Sequence, residues 1–335
     1  MLNPEAKLAG NVFDKPAEVP TRDGFGRGLL ELGETNSRVV ALCADLAEST
    51  RMLGFKEKYP ERYIELGVAE QNLATVAAGL ANYGKIPFMA SYATFSPGRN
   101  NEQIRTTISI NQVPVKIVGS HAGVSVGPDG ATHQALEDIA LMRVQPNMCV
   151  ISPCDSEEAY KATLAAAVHP GPVYLRLARE KTPVMTTPET PFELGKAQVL
   201  WQPSDKRKKP RAAIFATGPL VHNALLAAKE LENELPVVVV NVVTIKPLDR
   251  ETIVLAAKSA GAVVTVEEHQ VAGGLGSAIA ELLAVEYPVP IEFIGVHDQF
   301  GQSGEPRELI EHYGMGVSHI VEAVKKAAAR SAKKS

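Results

Sequence analysis

The feature that most narrows the folds open to this chain is a regular exchange between two kinds of segment. Short β-rich runs, "RVVALCADL" (38–46), "VPVKIVGSH" (113–121), "CVISPC" (149–154) and "PVYLRLA" (172–178), alternate with stretches rich in Ala and Leu. "EQNLATVAAGLANYG" places Leu73, Val76, Ala77 and Leu80 at helical spacing, with Gly84 as the stop. "THQALEDIALMR" sets Leu136, Ile139 and Ala140 on one helical face, and "DSEEAYKATLAAAV" opens on Asp155, an N-cap followed by acids in the first turn. Such alternation predicts a mostly parallel sheet covered by helices.

From Thr182 the character changes. "TPVMTTPETPFELGKAQVLWQPSDKRKKP" is rich in Pro, Thr and charge and predicts a connection between domains. Strand-like runs then return at 212–218, 236–243, 261–268 and 291–296, with helices expected in "GPLVHNALLAAKELE", "LDRETIVLAAKSAG" and "GLGSAIAELLAVEY". The expected fold is α/β with two domains, 1–187 and 188–335, each a mostly parallel sheet covered by helices.

Composition restricts function. The 335 residues are 45% hydrophobic and 21% charged, enough to bury a sizeable core. A net charge of −4 argues against nucleic-acid binding. The basic runs "SDKRKKPR" (204–211) and "KKAAARSAKKS" (325–335) read as a solvated loop and a frayed terminus. No apolar run reaches the roughly 18 residues of a membrane span. "MLNPEAKLAGNVFDKP" lacks the apolar region of a signal peptide, so a cytoplasmic location is expected. Cys43, Cys149 and Cys154 are odd in number and form no CxxC pair, as for reduced thiols.

Several motifs fall short. "GLANYGKI" (79–86) has Ile86 where a phosphate loop needs a hydroxyl, and its first glycine sits inside a helical pattern. "GGLGSAI" (273–279) has Ile279 at the closing small position of a dinucleotide loop, and predicts a tight turn into a helix. One stretch stands out. "SHAGVSVGPDGATHQALED" (120–138) follows a strand and sets His121, Asp129 and His133 around a glycine-rich loop. Such loops, at the carboxyl ends of sheet strands, are where open α/β folds bind ligands. Two histidines and an acid suit hydrogen bonding to hydroxyls and carbonyls, or proton transfer. Taken singly, Asp129 is also a natural turn residue and each histidine a capping or surface residue.

Taken together, "TRDGFGRGLLELGETNSRVVALCADLAEST", "YIELGVAEQNLATVAAGLANYG", "FMASYATF", "GSHAGVSVGPDGATHQALEDIALMR" and "VYLRLAREK" resemble the pyrimidine-binding domain of transketolase. "TIKPLD" and "VEEHQVAGGLG" resemble its C-terminal domain, and the likeness runs in order over about residues 20–325. The Gly-Asp-Gly motif that holds the diphosphate and metal of thiamine diphosphate is missing: "PDG" lacks the first glycine, and "NN" (100–101) precedes it rather than follows. The chain therefore resembles the C-terminal half of a split transketolase. An N-terminal partner subunit would supply the diphosphate site and its Mg or Ca, in an α2β2 assembly.

The resemblance implies roles residue by residue. Glu70 matches the catalytic carboxylate that bonds the aminopyrimidine ring. Met89, Tyr92 and Phe95 match the wall against which that ring packs, although the family usually has an aromatic where Met89 stands. Asp45 orders the ring and Leu46 wedges the cofactor into its bent shape. His121, Asp129 and His133 match the sugar-binding positions, and Arg22, Ser49 and Arg179 those that hold the sugar phosphate. Arg176, three residues before Arg179, competes for the last assignment. The β chain of a 2-oxo acid dehydrogenase and a deoxyxylulose-phosphate-synthase-like enzyme are the nearest rival readings. A non-catalytic pairing subunit is a third.

Overall fold

The computed structural model describes residues 1–205 and 207–332. Two sheets organise it. The first has seven strands in the order Thr244–Lys246, Cys149–Ile151, Val173–Arg176, Lys116–Ser120, Ile86–Tyr92, Val39–Cys43, Tyr63–Glu65. Six run parallel, and only Thr244–Lys246 is antiparallel to its neighbour. The second has five, in the order Ile291–Val296, Val263–Gln270, Ala212–Ala216, Val237–Asn241, Gln198–Trp201, with the last antiparallel. Most inner strands are buried at every residue, as sheets covered on both faces require.

The helices follow the sequence pattern closely. Glu70–Asn82 forms with Leu73, Ala74, Ala77 and Ala81 buried. Ser156–Val168 starts where expected: the Asp155 carboxylate accepts from the Glu158 N–H, a cap worth about 1 kcal/mol. "GGLGSAI" is the expected turn into a helix, Leu275–Glu286. The Glu267 carboxylate accepts from the first N–H groups of that helix, at Leu275 and Gly276. The place a bound phosphate would take is thus filled by the chain itself.

Three expectations need correction. "THQALEDIALMR" is helical only over Asp138–Arg143. Upstream, Ala135 bridges to Ala122, and the Gln134 amide donates to the carbonyls of Val124, Gly127 and Gln302. Leu136 and Ile139 are both buried but in different cores, so they never shared a helical face. The expected connection contains two strands. Lys181–Pro183 pairs with Glu18–Pro20, and Gln198–Trp201 edges the second sheet. The tail does not fray where expected either. Val317–Ala332 is a helix burying Ala323, Val324, Ala327 and Ala328, with Lys325 on Glu234 and Lys326 and Arg330 on Glu292. The last three residues of that basic run, and Lys206 of the other, lie outside the described residues.

The two halves are interlaced. Thr244–Lys246, from the second half, completes the first sheet. The opening segment does the reverse: Asn3 donates to the Leu200 carbonyl, and Ala6 and Val12 lie in the second core. All three cysteines are free and buried. No helix among the described residues is long and apolar enough to cross a membrane.

Across this seam the buried Glu158 carboxylate accepts from Asn241 Nδ2 at 2.7 Å and from the Cys154 N–H at 2.7 Å. Burial pushes its pKa from 4.5 up to about 7, and the neighbouring Asp155 charge adds to the rise. A carboxyl raised in the fold stabilises it fully below pH 4.5, and that stability is lost as pH climbs through 7. Glu158→Gln should therefore gain on the parent by a few degrees of Tm between about pH 5 and pH 8 in thermal denaturation. A difference that stays flat with pH would show that this carboxyl does not link proton binding to folding.

Candidate active site

Parallel strands deliver their carboxyl ends to one edge, and that edge collects the candidate residues. Asp45, Leu46 and Ser49 follow Val39–Cys43, and Glu70 follows Tyr63–Glu65. Tyr92 ends Ile86–Tyr92 and Phe95 lies just beyond it. His121, Asp129 and His133 follow Lys116–Ser120, and Arg179 follows Val173–Arg176.

Glu70 is the first residue of its helix, where the backbone N–H groups favour negative charge. It is only 2% exposed. Oε2 accepts from Arg99 Nη1 at 3.0 Å, while Oε1 takes no hydrogen bond among the described residues. Arg99 spans two parts of the site, its guanidinium lying 5.0 Å from the Phe95 ring centre. Asn100 Nδ2 fixes the helix start by donating to the Glu70 carbonyl at 2.9 Å.

The rings beside it are stacked. Tyr92 lies 6.0 Å from Phe95 at 19° between planes and 3.8 Å from His121 at 23°. His133 meets Phe95 edge-on at 5.4 Å. Met89 does not join this wall. It is fully enclosed in the core beneath, paired in the sheet with Leu42 and Ile117, because it lies mid-strand in a sheet covered on both faces. Asp45 is exposed on a left-handed turn (φ 58°), and Leu46 is half-buried against the core containing Phe25 and Phe55. Glu65, which sequence reasoning missed, ties this turn to the approach to Glu70. Its Oε1 accepts from the N–H of Asp45 at 2.7 Å and of Gly67 at 3.0 Å, and its Oε2 from the Tyr63 hydroxyl at 2.6 Å. Burial opposes ionisation of Glu65, but those three donors outweigh it and hold the carboxyl below its ordinary value.

His121 is 2% exposed and also left-handed (φ 57°). Its Nε2 lies 3.3 Å from Arg22 Nη1, which can only donate, so Nε2 accepts and Nδ1–H donates to Ser120 Oγ at 2.9 Å. Burial, followed by the charges of Arg22, Arg179 and Arg51, pushes its pKa down to about 3. The imidazole is thus a neutral acceptor at working pH. Arg22 Nη1 also donates to the Ser49 carbonyl at 2.8 Å. Asp129 is exposed at the end of the turn Val124–Asp129, with no side-chain hydrogen bond among the described residues. His133 pairs with Thr132 Oγ1 at 2.9 Å.

The two arginines of "LRLAR" separate cleanly. Arg176 is buried, with Nε 2.8 Å from Asp138 Oδ2 and Nη2 2.8 Å from the Glu268 carbonyl. Arg179 stays part-exposed at the site, donating to the Val126 carbonyl and pairing loosely with Glu180 at 3.7 Å. Arg51, unremarked in the sequence, stands beside Arg22 with its Nε 2.6 Å from Asp23 Oδ1. Among the described residues no group of three or more His, Cys, Asp or Glu side chains could hold a metal ion.

These residues fit one end of a cofactor. A buried carboxylate with one free oxygen suits a ring N–H, and the stacked aromatics suit its planar face. Among the described residues no group could hold the metal that accompanies a diphosphate.

Comparison with known proteins finds likeness to one family along most of the chain. Residues 17–185 match the family described as transketolase, pyrimidine binding domain, and 204–320 match transketolase, C-terminal domain. A putative transketolase C-terminal section from Methanocaldococcus jannaschii is 42% identical, over 90% of this chain and 94% of that one. A 6-deoxy-6-sulfo-D-fructose transketolase subunit from a Clostridium species is 41% identical, over 90% and 92%. A solved structure described as a split gene transketolase, inactive beta4 tetramer, superimposes with a TM-score of 0.86 at 44% identity, over 93% of this chain and 99% of that one.

The contrast between the arginines is testable. Arg176→Met leaves Asp138 buried and unpaired and should destabilise the fold by about 3–5 kcal/mol in denaturant unfolding. Arg179→Met should cost less than about 1 kcal/mol. Equal losses would show that both arginines are structural.

Proposed function

The chain belongs to the transketolase family, and on that premise we propose that it is the C-terminal subunit of a thiamine-diphosphate-dependent ketol transferase, acting on ketose and aldose phosphates. The observation that carries this reading is the Glu70 carboxylate, buried, held by Arg99 through one oxygen and free at the other, beside the Tyr92–Phe95 stack.

When bound, thiamine diphosphate supplies the electron sink for breaking and forming the carbon–carbon bond. This chain's residues orient and shield. Glu70 Oε1 accepts a hydrogen bond from a ring N–H, while Arg99 keeps the carboxylate from turning. Tyr92 and Phe95 pack the ring face and exclude water, and Asp45 and Leu46 bound its other side. His121 Nε2, kept neutral by burial and its arginine neighbours, accepts a hydrogen bond from a sugar hydroxyl when Arg22 turns from it to the phosphate. Asp129 and His133 read hydroxyls further along, and Arg22, Ser49 and Arg179 hold the terminal phosphate.

An N-terminal partner subunit completes the enzyme, bringing the diphosphate site and its Mg or Ca. Self-association of this chain within an α2β2 assembly then brings partner and ring pocket together. The structural relative whose description reads "inactive beta4 tetramer" supports a chain that assembles by itself yet needs a second subunit to work. The transketolase names of its relatives favour ketol transfer over the dehydrogenase and synthase readings. The intact set from Glu70 to Arg179 favours catalysis over a pairing role.

The isolated chain should show no ketol transfer from xylulose 5-phosphate to ribose 5-phosphate. Adding a partner that co-purifies from the native source and binds thiamine diphosphate should restore it. Full turnover by the isolated chain would sink the split-enzyme reading. In the restored enzyme Glu70→Gln should cost at least about a hundredfold in kcat with the Tm nearly kept. Near-parental turnover would remove Glu70 from the mechanism.

A further inference from the structure

Three arginine charges act on His121, those of Arg22, Arg179 and Arg51, and Arg51 has no role in the reading above. Arg51 closes the loop after Val39–Cys43 with a left-handed backbone (φ 64°). In a residue other than glycine, such a conformation is strained and persists only where surroundings enforce it. The neighbouring helix Thr21–Thr35 makes room: a Cβ at Gly26 would lie 2.7 Å from the Arg51 Cβ. Backbone strain and a missing neighbour side chain both serve to place this arginine.

Its place is specific. Arg22 and Arg51 run side by side between the same two segments. Arg22 Nη1 donates to the Ser49 carbonyl, and Arg51 Nη1 stands 3.5 Å from the adjoining Glu48 carbonyl. Arg51 Nε is pinned by Asp23 Oδ1 at 2.6 Å, the residue beside Arg22. Arg51 Nη2 has no partner among the described residues, and its side chain is 37% exposed. Buried Arg22 Nε is also without a partner. Burial first, then the Arg51 charge, eases the pKa of Arg22 downward, and the same charge contributes at His121. Among the described residues the guanidinium groups of Arg22, Arg51 and Arg179 face only two contacting carboxylates, Asp23 and Glu180. That leaves excess positive charge and unfilled donors in one pocket.

We propose that Arg51 is a further substrate-binding residue, contacting the terminal oxyanion of the sugar, and that its tether to Asp23 tunes the pocket to a doubly charged phosphate monoester. A singly charged anion competes poorly with the Asp23 carboxylate for this guanidinium. A dianion has charge and oxygens enough to engage Arg51 while Arg22 and Arg179 take the rest. The inference rests on the ketol-transfer reading for the identity of the sugar, but not for the presence of an anion pocket.

The test compares ribose 5-phosphate with ribose as acceptor in the restored enzyme. Arg51→Gln should lower the ratio of their kcat/KM values at least tenfold, chiefly through KM, and Arg51→Lys should recover part of it. A ratio within twofold of the parent in Arg51→Gln would overturn the proposal. A parent assembly with no turnover would strike the ketol-transfer reading instead. In that case calorimetric titration of the isolated chain decides: ribose 5-phosphate should bind more tightly than ribose, and Arg51→Gln should weaken it about tenfold. Equal affinities of parent and Arg51→Gln would overturn the proposal there as well.

Discussion

The buried guanidinium of Arg176 is the joint on which the rest of the molecule turns. It leaves the first sheet, binds the Asp138 carboxylate, and reaches the carbonyls of Ala135 and Glu268. Asp138 also accepts from the Tyr174 hydroxyl at 2.7 Å. One side chain thus fixes a helix, the return of the loop carrying His121 and the second sheet. Burial opposes every charge here, and the pair persists because Arg176 Nε and Nη2 and both Asp138 oxygens find partners. The Asp138 carboxyl is accordingly held below its ordinary value: burial works against that, and the Arg176 charge prevails.

From that joint the site follows. The loop carrying His121, Asp129 and His133 is anchored at Ala135 by Arg176, and Gln134 ties it to Gln302 in the second half. Ser125 N–H donates to the buried Glu268 carboxylate at 2.6 Å. A Cβ at Gly123 would strike that carboxylate at 2.3 Å, and Gly123, Gly127 and Gly130 all have positive φ. The glycines of this stretch therefore answer to contact with the second half as much as to turning. The neutral state of His121 is likewise a product of packing, since burial and three arginines brought from separate strand ends impose it.

Strand and helix identities were legible because buried parallel strands and Ala-rich helices carry their patterns locally. Glu70, Tyr92, Phe95, His121 and Arg179 could be placed from short motifs, since each sits within a few residues of a strand end. What escaped depended on contacts distant in sequence. Met89 lies mid-strand, where both faces are buried, whereas Tyr92 ends the strand, and "MASYATF" does not announce where the strand stops. Nothing local separates Arg176 from Arg179 until Asp138 is brought beside one of them. Glu65 and Arg51 each act through partners about 20 to 28 residues away. Leu136 obeys a helical period yet belongs to another core, because Gln134 is held by loop and interdomain carbonyls.

The strand Thr244–Lys246 has a consequence for how such a chain can be divided. Its residues are encoded among those of the second sheet but hydrogen-bond at the edge of the first, while the opening residues do the converse. A cut near the passage between the sheets would leave each piece short of a segment the other carries. The smallest portion of this chain that could be transplanted or recombined intact is therefore both sheets together, a constraint on gene architecture written in backbone hydrogen bonds.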